Sequence, residues 1–208
     1  MLINKDMSGY IESPIYPNEN WTEDDESYYL VDSNSEMANI VRDNFPKIDI
    51  IINEDGEIES IIPSSPTLEE VLDKKILELD IDCQKTIFYG LDITLSGGEP
   101  EHFTLTERDQ LNLSGIALKL LMGAETVAWH EDDETVPCRF YSRDDALLII
   151  GTLTTYKEYH ITYFRDLRIY VNSLSSIEEI DIIKYGFSLP EEAKSDVLKS
   201  YEIQLGGL

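Results

Sequence analysis

Positive charge is what this 208-residue sequence lacks most: 16 Lys and Arg stand against 42 Asp and Glu, a formal net charge of −26. Duplex nucleic acid is gripped through phosphate contacts from Lys and Arg, so a duplex binder is excluded, and docking on an anionic membrane surface is excluded with it. Cysteine is scarce. Cys83 and Cys138 lie far apart, in no metal-ligand spacing, and imply no disulfide framework; two buried free thiols are expected. The three histidines, His102, His130 and His160, are scattered, and no two share the i, i+4 spacing that builds a zinc site. No stretch approaches the ~18 apolar residues of a membrane span. The start, MLINKDMSGYIESP, carries no apolar signal-peptide core. The chain is therefore expected to be made in the cytoplasm and to stay soluble until it is assembled into something larger.

Catalytic signatures are missing too. There is no G-x-S-x-G nucleophile elbow. The pair Gly97-Gly98 sits in a loop with no Lys-Ser/Thr after it, which excludes a P-loop. The one dense ligand-like cluster is His130-Glu131-Asp132-Asp133-Glu134. Hard cations favour carboxylates, but the glycine and the terminal Glu of an EF-hand are absent, and an acidic hairpin tip facing water is the plainer reading. With 42 acidic residues, a glycosidase-like carboxylate pair picked by eye carries no information. No catalytic residue, cofactor or metal ligand is assigned.

What the sequence has is periodicity. Ser142 with Asp145 three residues on is a variant of the capping box, which opens a helix. Ala146, Ile149, Leu153, Tyr156, His160, Tyr163, Leu167, Tyr170 and Leu174 follow at spacings of three and four. That stripe predicts one helix roughly 45 Å long, interrupted only by Gly151. It either packs on neighbouring helices of the same domain or seams two protomers; its Tyr and His positions suit a partly wet core better than a tight seam. Thr67 with Glu70 opens an earlier helix, whose stripe runs Leu68, Leu72, Ile76, Leu79, Cys83, Ile87 and stops at Gly90. Leu91–Leu95 and His102–Leu105 read as paired strands, Thr106 with Asp109 caps a helix to Leu121 or Met122, and Val127–Glu131 with Pro137–Tyr141 make a second hairpin. Ser176 with Glu179, and Ser188 with Glu191, open two short helices near the end. His102–Asp109 and Arg139–Asp145 both pass from a Phe-bearing strand into a hydroxyl-capped helix, one physical solution used twice.

The amino-terminal part differs in character. Residues 1–32 read as an irregular acidic arm, with Pro14, Pro17 and the run Glu23-Asp24-Asp25-Glu26 opposing regular structure. Yet aromatics are interspersed, more than a purely disordered tail holds. Tyr10, Tyr16, Trp21, Tyr28 and Tyr29 are the candidate partner-binding residues, as anchors of an arm that orders on a partner. An arm that packs on its own domain is the equal alternative. Residues 33–66 read as a short helix over Ser33–Phe45 and an isoleucine-rich hairpin, Lys47–Ile62, turning at Asp55-Gly56. From Met1 to Pro66 there are fifteen Asp or Glu against three Lys or Arg, so the docking surface on any partner is expected to be basic. Pro63-Ser64-Ser65-Pro66 reads as a linker.

These readings give an α+β fold: helices with short antiparallel β-hairpins, one long helix in the carboxy-terminal half, and a small amino-terminal helix-hairpin module. The segments are an arm (1–32), a module (33–66), a helix-hairpin-helix-hairpin-long-helix domain (67–174) and a helical extension (175–208).

From Thr67 to Ser173, about half the chain, the order resembles a domain family of unassigned activity found in bacteriophage tail-fibre and baseplate gene clusters. The likeness rests on His102-Phe103-Thr104-Leu105-Thr106-Glu107-Arg108-Asp109-Gln110-Leu111-Asn112-Leu113, with its T-x-x-D-Q-x-N-L helix start. It rests also on the Trp129-His130 strand before a polar hairpin and on Phe140-Tyr141-Ser142 leading into the long helix. The family offers no catalytic residues to carry over, and the acidic amino-terminal module and carboxy-terminal extension depart from it. The resemblance implies a non-enzymatic virion component that links tail or baseplate to fibre. Its partners would be other tail, baseplate or fibre proteins, or a second copy of the chain, with no nucleic acid and no membrane. A fibre-assembly chaperone, absent from finished particles, is the first alternative. An acidic DNA-mimic inhibitor is the next, and an enzyme, marked by a pocket with converging polar groups, the last.

Overall fold

The computed structural model describes residues 1–12, 27–132 and 135–206. The fold is α+β: six α-helices, short antiparallel strand pairs and one long helix. The chain divides into two units, Met1–Pro66 and Thr67–Leu208.

In the first unit, β1 (Leu2–Asn4) is flanked by β2 (Tyr10–Ile11) and β3 (Tyr28–Leu30) in an antiparallel sheet of order β2-β1-β3. Residues 1–12 and 27–31, expected as irregular arm, thus contribute three short strands. The reason is local and apolar: Leu2, Ile3, Ile11, Leu30 and Val31 alternate well enough to build a sheet with a buried face, and Ile3 is fully buried. Helix α1 (Glu36–Asn44) follows, capped by Ser35, whose hydroxyl accepts from the Ala38 amide at 3.2 Å; Pro46 prevents its continuation. β4 (Ile48–Ile52) and β5 (Ile58–Pro63) form the isoleucine hairpin. At its turn the Asn53 carboxamide oxygen accepts from the Asp55 and Glu57 amides at 3.0 and 2.8 Å. Ile3, Val31, Ala38, Val41, Ile48 and Ile61 make the core of this unit.

The second unit opens with α2 (Leu68–Tyr89), where Thr67 and Glu70 form the reciprocal capping box. Gly90 ends it at φ 76°, and a Cβ there would lie 1.8 Å from the Phe103 carbonyl oxygen, so both the backbone angle and the close approach require glycine. β6 (Leu91–Thr94) pairs with β7 (Pro100–Phe103), setting Leu91 opposite Phe103. Helix α3 (Glu107–Leu121) starts at a second capping box. In it the buried Asp109 carboxylate accepts from the Thr106 amide at 3.0 Å and from the Thr106 and Thr104 hydroxyls at 2.7 and 3.0 Å. β8 (Thr126–Trp129) pairs with β9 (Arg139–Ser142), and Ser142 then caps α4 (Arg143–Ser173). Asp145, in the first turn of α4, also accepts from the amide and hydroxyl of Ser96 at 3.0 and 2.9 Å, which pins the β6–β7 loop to the long helix.

Helix α4 is the spine. Its first half buries Ala146, Ile149 and Leu153 among Phe103, Leu113, Leu120, Trp129 and Tyr141. Its second half buries Tyr163, Leu167 and Val171 against Leu79 of α2 and Ile180, Ile183, Leu189 and Leu198 from the end of the chain. Each fully buried Leu or Ile contributes roughly 1.5–3 kcal/mol relative to exposure. The stripe is therefore covered by its own chain, and residues 175–208 supply part of that cover. Past Tyr163 the buried positions shift by one: Val171 is buried where Tyr170 was expected, and Asp166 joins Leu167. In α2 the stripe likewise holds from Leu79 onward, but Lys75 is buried beside a half-buried Ile76.

Three expectations need correction. Ser188 caps no helix. Leu189 is buried and precedes Pro190, which keeps it extended, so only a single 3-10 turn (Glu191–Ala193) forms there, and α6 (Asp196–Leu205) starts at Ser195 instead. Ser176 does cap, opening the five-residue α5 (Ile177–Asp181). Of the two free thiols Cys83 is buried but Cys138 is exposed, lying just before the first paired residue of β9. The strand pairs also stop short of two residues expected within or next to them, Leu95 and Leu105, which are buried all the same.

Candidate partner-binding surface

Of the five aromatic residues expected to grip a partner, Tyr16 and Trp21 lie outside the described residues. The other three are sorted by strand alternation. Ile3 pairs with Tyr10 on one side and Tyr29 on the other, so all three point to the same face of the sheet. That face is the covered one: Tyr10 sets the edge of its ring on Phe45 at 5.3 Å, and both tyrosines pack on the core. Tyr28 pairs with Asn4 and lies on the opposite face, with Leu2.

Sequence reading passed over the residues that share that outer face. Leu2 stands between Ile11 and Leu30, which are 41% and 61% exposed. The row Ile11–Leu2–Leu30, with Tyr28 beside it, is apolar and outward. The hairpin of the same unit repeats the arrangement, since Ile51 and Ile62 are exposed while Ile48 and Ile61 are buried. On the hairpin, however, Ile51 and Ile62 share their face with Asp49 and Ser60, so only the β2-β1-β3 sheet presents an apolar row. The signal was present in the sequence: Leu2 and Ile3 adjacent, and Tyr29 and Leu30 adjacent, give a two-residue strand period apolar on both sides. It was hidden by the acidic run between them.

The charge around this face is one-sided. Arg42 and Lys5 are engaged within the unit. Arg42 pairs with Glu12 and donates to the Asn39 carboxamide and the Ser33 carbonyl, each at 2.7 Å, and Lys5 lies over the Tyr29 ring at 5.2 Å. The hydrogen bond from Arg42 holds the Glu12 carboxyl below the usual carboxylate range, so it stays ionised. The carboxylate next to the row, Glu12, is thus held in an ion pair with Arg42.

The acidic cluster at the β8–β9 hairpin is only partly described. His130 stacks on Trp129 with centroids 5.1 Å apart, and the Asp132 amide donates to the His102 carbonyl at 2.9 Å. Among the described residues no three His, Cys, Asp or Glu side chains are arranged to hold a metal ion, and no helix is long and apolar enough to cross a membrane. No protein-family model matches the sequence, and no curated protein or solved structure matches it either.

Proposed function

We propose that this chain is a non-enzymatic adaptor whose first unit docks, through the outer face of the β2-β1-β3 sheet, on a basic neighbouring protein. The observation that carries the reading is the row Ile11–Leu2–Leu30, exposed at its two flanks and half-buried at Leu2, on a unit with fifteen acidic and three basic residues. Exposed apolar residues scattered singly mean little, but a cross-strand row on an otherwise charged surface marks an interaction site. The setting proposed for this adaptor is a phage or phage-like tail, where it would link baseplate or tail to fibre or to neighbouring subunits. That setting rests on the resemblance of residues 67–173 alone.

The test uses the full chain. Ile11→Glu with Leu30→Glu places two charges on the outer face and leaves the core untouched. The double variant is expected to melt like the parent chain and to lose incorporation into particles. Normal incorporation of a folded double variant would sink the docking face. Mass spectrometry of purified particles tests the setting: a stoichiometric amount of the chain supports a tail component, while its presence only in assembly intermediates would mark a chaperone instead.

A further inference from the structure

The second unit holds a pocket of about 200 Å³ that the adaptor reading does not use. It lies between the middle of α4 and the segment after α5. Tyr159, His160 and Tyr163 line it from the helix, Tyr185 and Phe187 from the segment, and Lys194 and Glu202 stand at its rim. The aromatic walls are set at right angles. The rings of Tyr159 and Tyr163 are nearly parallel, 18° apart with centroids 6.2 Å apart, while Tyr185 stands at 85° to Tyr163 with centroids at 5.3 Å. The Tyr163 hydroxyl donates to the Phe187 carbonyl at 2.7 Å, which fastens the segment to the helix.

The histidine contributes no charge. Burial pushes His160 down to about 4, so it is neutral at physiological pH. Burial, with the neighbouring Cys83, pushes the Tyr185 hydroxyl strongly up, so it keeps its proton. That hydroxyl is hydrogen-bonded to His160 Nδ1 at 2.9 Å, which ties the segment to the helix a second time. The fixed charges are at the rim. Lys194 Nζ is 2.7 Å from a Glu191 carboxylate oxygen and 3.1 Å from one of Glu202. Of these, Lys194 and Glu202 line the pocket and offset each other, while Glu191 stands outside it and also feels Lys199, so the Lys194 charge is held by its two carboxylate partners. Burial first, and then the Glu202 carboxylate, raise the pKa of the Tyr159 hydroxyl against the opposing Lys194 ammonium, so both rim charges are felt at the aromatic wall.

Aromatic faces are electron-rich and attract cations, most strongly where water is excluded. A neutral His, perpendicular tyrosine faces and a Lys194 ammonium already neutralised by carboxylates leave the electron-rich rings as the dominant attraction, and they favour a cation. A cavity of about 150 Å³ already holds a benzene-sized guest, so this one accommodates a trimethylammonium head. We propose that the pocket bounded by Tyr159, Tyr163, Tyr185 and Glu202 is a cage for a compact organic cation of the quaternary or methylated ammonium class. Two sources present that chemistry, a free choline-like molecule and a methylated lysine side chain of another protein. The site lies wholly in the second unit, so it stands or falls independently of the docking face in the first.

Calorimetry on the full chain tests it, with choline, a trimethyl-lysine peptide and 3,3-dimethyl-1-butanol, the uncharged carbon isostere of choline. At least one of the two cations is expected to saturate the site. The isostere is expected to bind about tenfold more weakly or worse, the scale of one partly desolvated cation–π contact. Binding by choline would assign a small-molecule site, and binding by the peptide alone a protein side chain. Tyr159→Leu and Glu202→Gln are each expected to weaken the cation about tenfold; Glu202→Gln, at the half-exposed rim, keeps the test valid if the Tyr159 variant does not fold. No saturable binding of either cation up to about 10 mM, equal binding of the isostere, or full affinity in a folded Glu202→Gln variant would overturn the cage.

Discussion

His102 makes two hydrogen bonds to groups that only accept. Its Nε2 lies 2.7 Å from the Tyr89 carbonyl and its Nδ1 2.7 Å from the Asp92 carboxylate. Both bonds are filled only when both ring nitrogens carry protons, that is, in the imidazolium. Burial pushes this histidine down, but the Asp92 carboxylate and the Tyr89 carbonyl outweigh it and hold its pKa above the ordinary 6.5. A pKa raised in the folded state gives stability that is complete below the unfolded value and is lost as pH rises through the folded one. The second unit is therefore expected to lose stability between pH 6 and alkaline pH by a step that His102→Gln lacks, read from urea midpoints of the two proteins across that range. Asp92 is well exposed, so solvent screening keeps the step small. An identical pH profile for the variant would remove His102 from this role. The sequence showed His102 only as the start of a strand, since its two acceptors come from the end of α2 and from β6.

At the scale of elements, the helix starts were the most legible features. Thr67, Thr106, Ser142 and Ser176 each accept from the amide three residues on, as their hydroxyl-x-x-carboxylate spacing predicted. Such caps depend on a few neighbouring residues, which a sequence displays directly. The start of α6 was missed because part of its cap comes from afar. Ser195 supplies the hydroxyl, but its own amide donates to the carboxylate of Asp166, 29 residues earlier in α4, at 2.7 Å. Lys75 does the converse at the other end of a helix: its buried ammonium donates to the carbonyl of Ile183, just past α5, at 3.0 Å. Asp166→Ala leaves a part-buried amide without a partner, and it is expected to cost about 1–3 kcal/mol. Hydrogen exchange should localise the effect to α6, whose amides lose protection while α3 is unchanged. Uniform loss of protection, or none, would contradict the assignment of Asp166 to this cap.

At the scale of the whole molecule, three clusters of buried apolar residues account for the cores, one in the first unit and two in the second. None includes residues from both sides of Pro66. Residues 67–208 are accordingly expected to fold alone, with a melting temperature equal to that of one transition of the full chain. A truncated protein that is unfolded by near-UV circular dichroism would show that the units depend on each other. Removing residues 1–32 is a different operation. It takes Ile3 and Val31 out of the first unit's core, so it would dismantle that unit, and surface substitutions are the cleaner probe of docking.

The sequence by itself determined the helix starts at Thr67, Thr106, Ser142 and Ser176, the Asp55-Gly56 turn, the α+β class and the acidic character of the first unit, because periodicity, capping and net charge are properties of neighbouring residues. Only the tertiary structure decided which aromatic residues are available. Tyr10 and Tyr29 were drawn to the covered face and Ile11 and Leu30 to the open one, since a strand offers alternate faces and only its register against β1 and the packing of Ile3 say which face is inside. The same holds for Tyr159, Tyr163 and Tyr185. Only Tyr163 belongs to the helical stripe read from the sequence; the segment after α5, packed on α4, sets all three rings around a shared space.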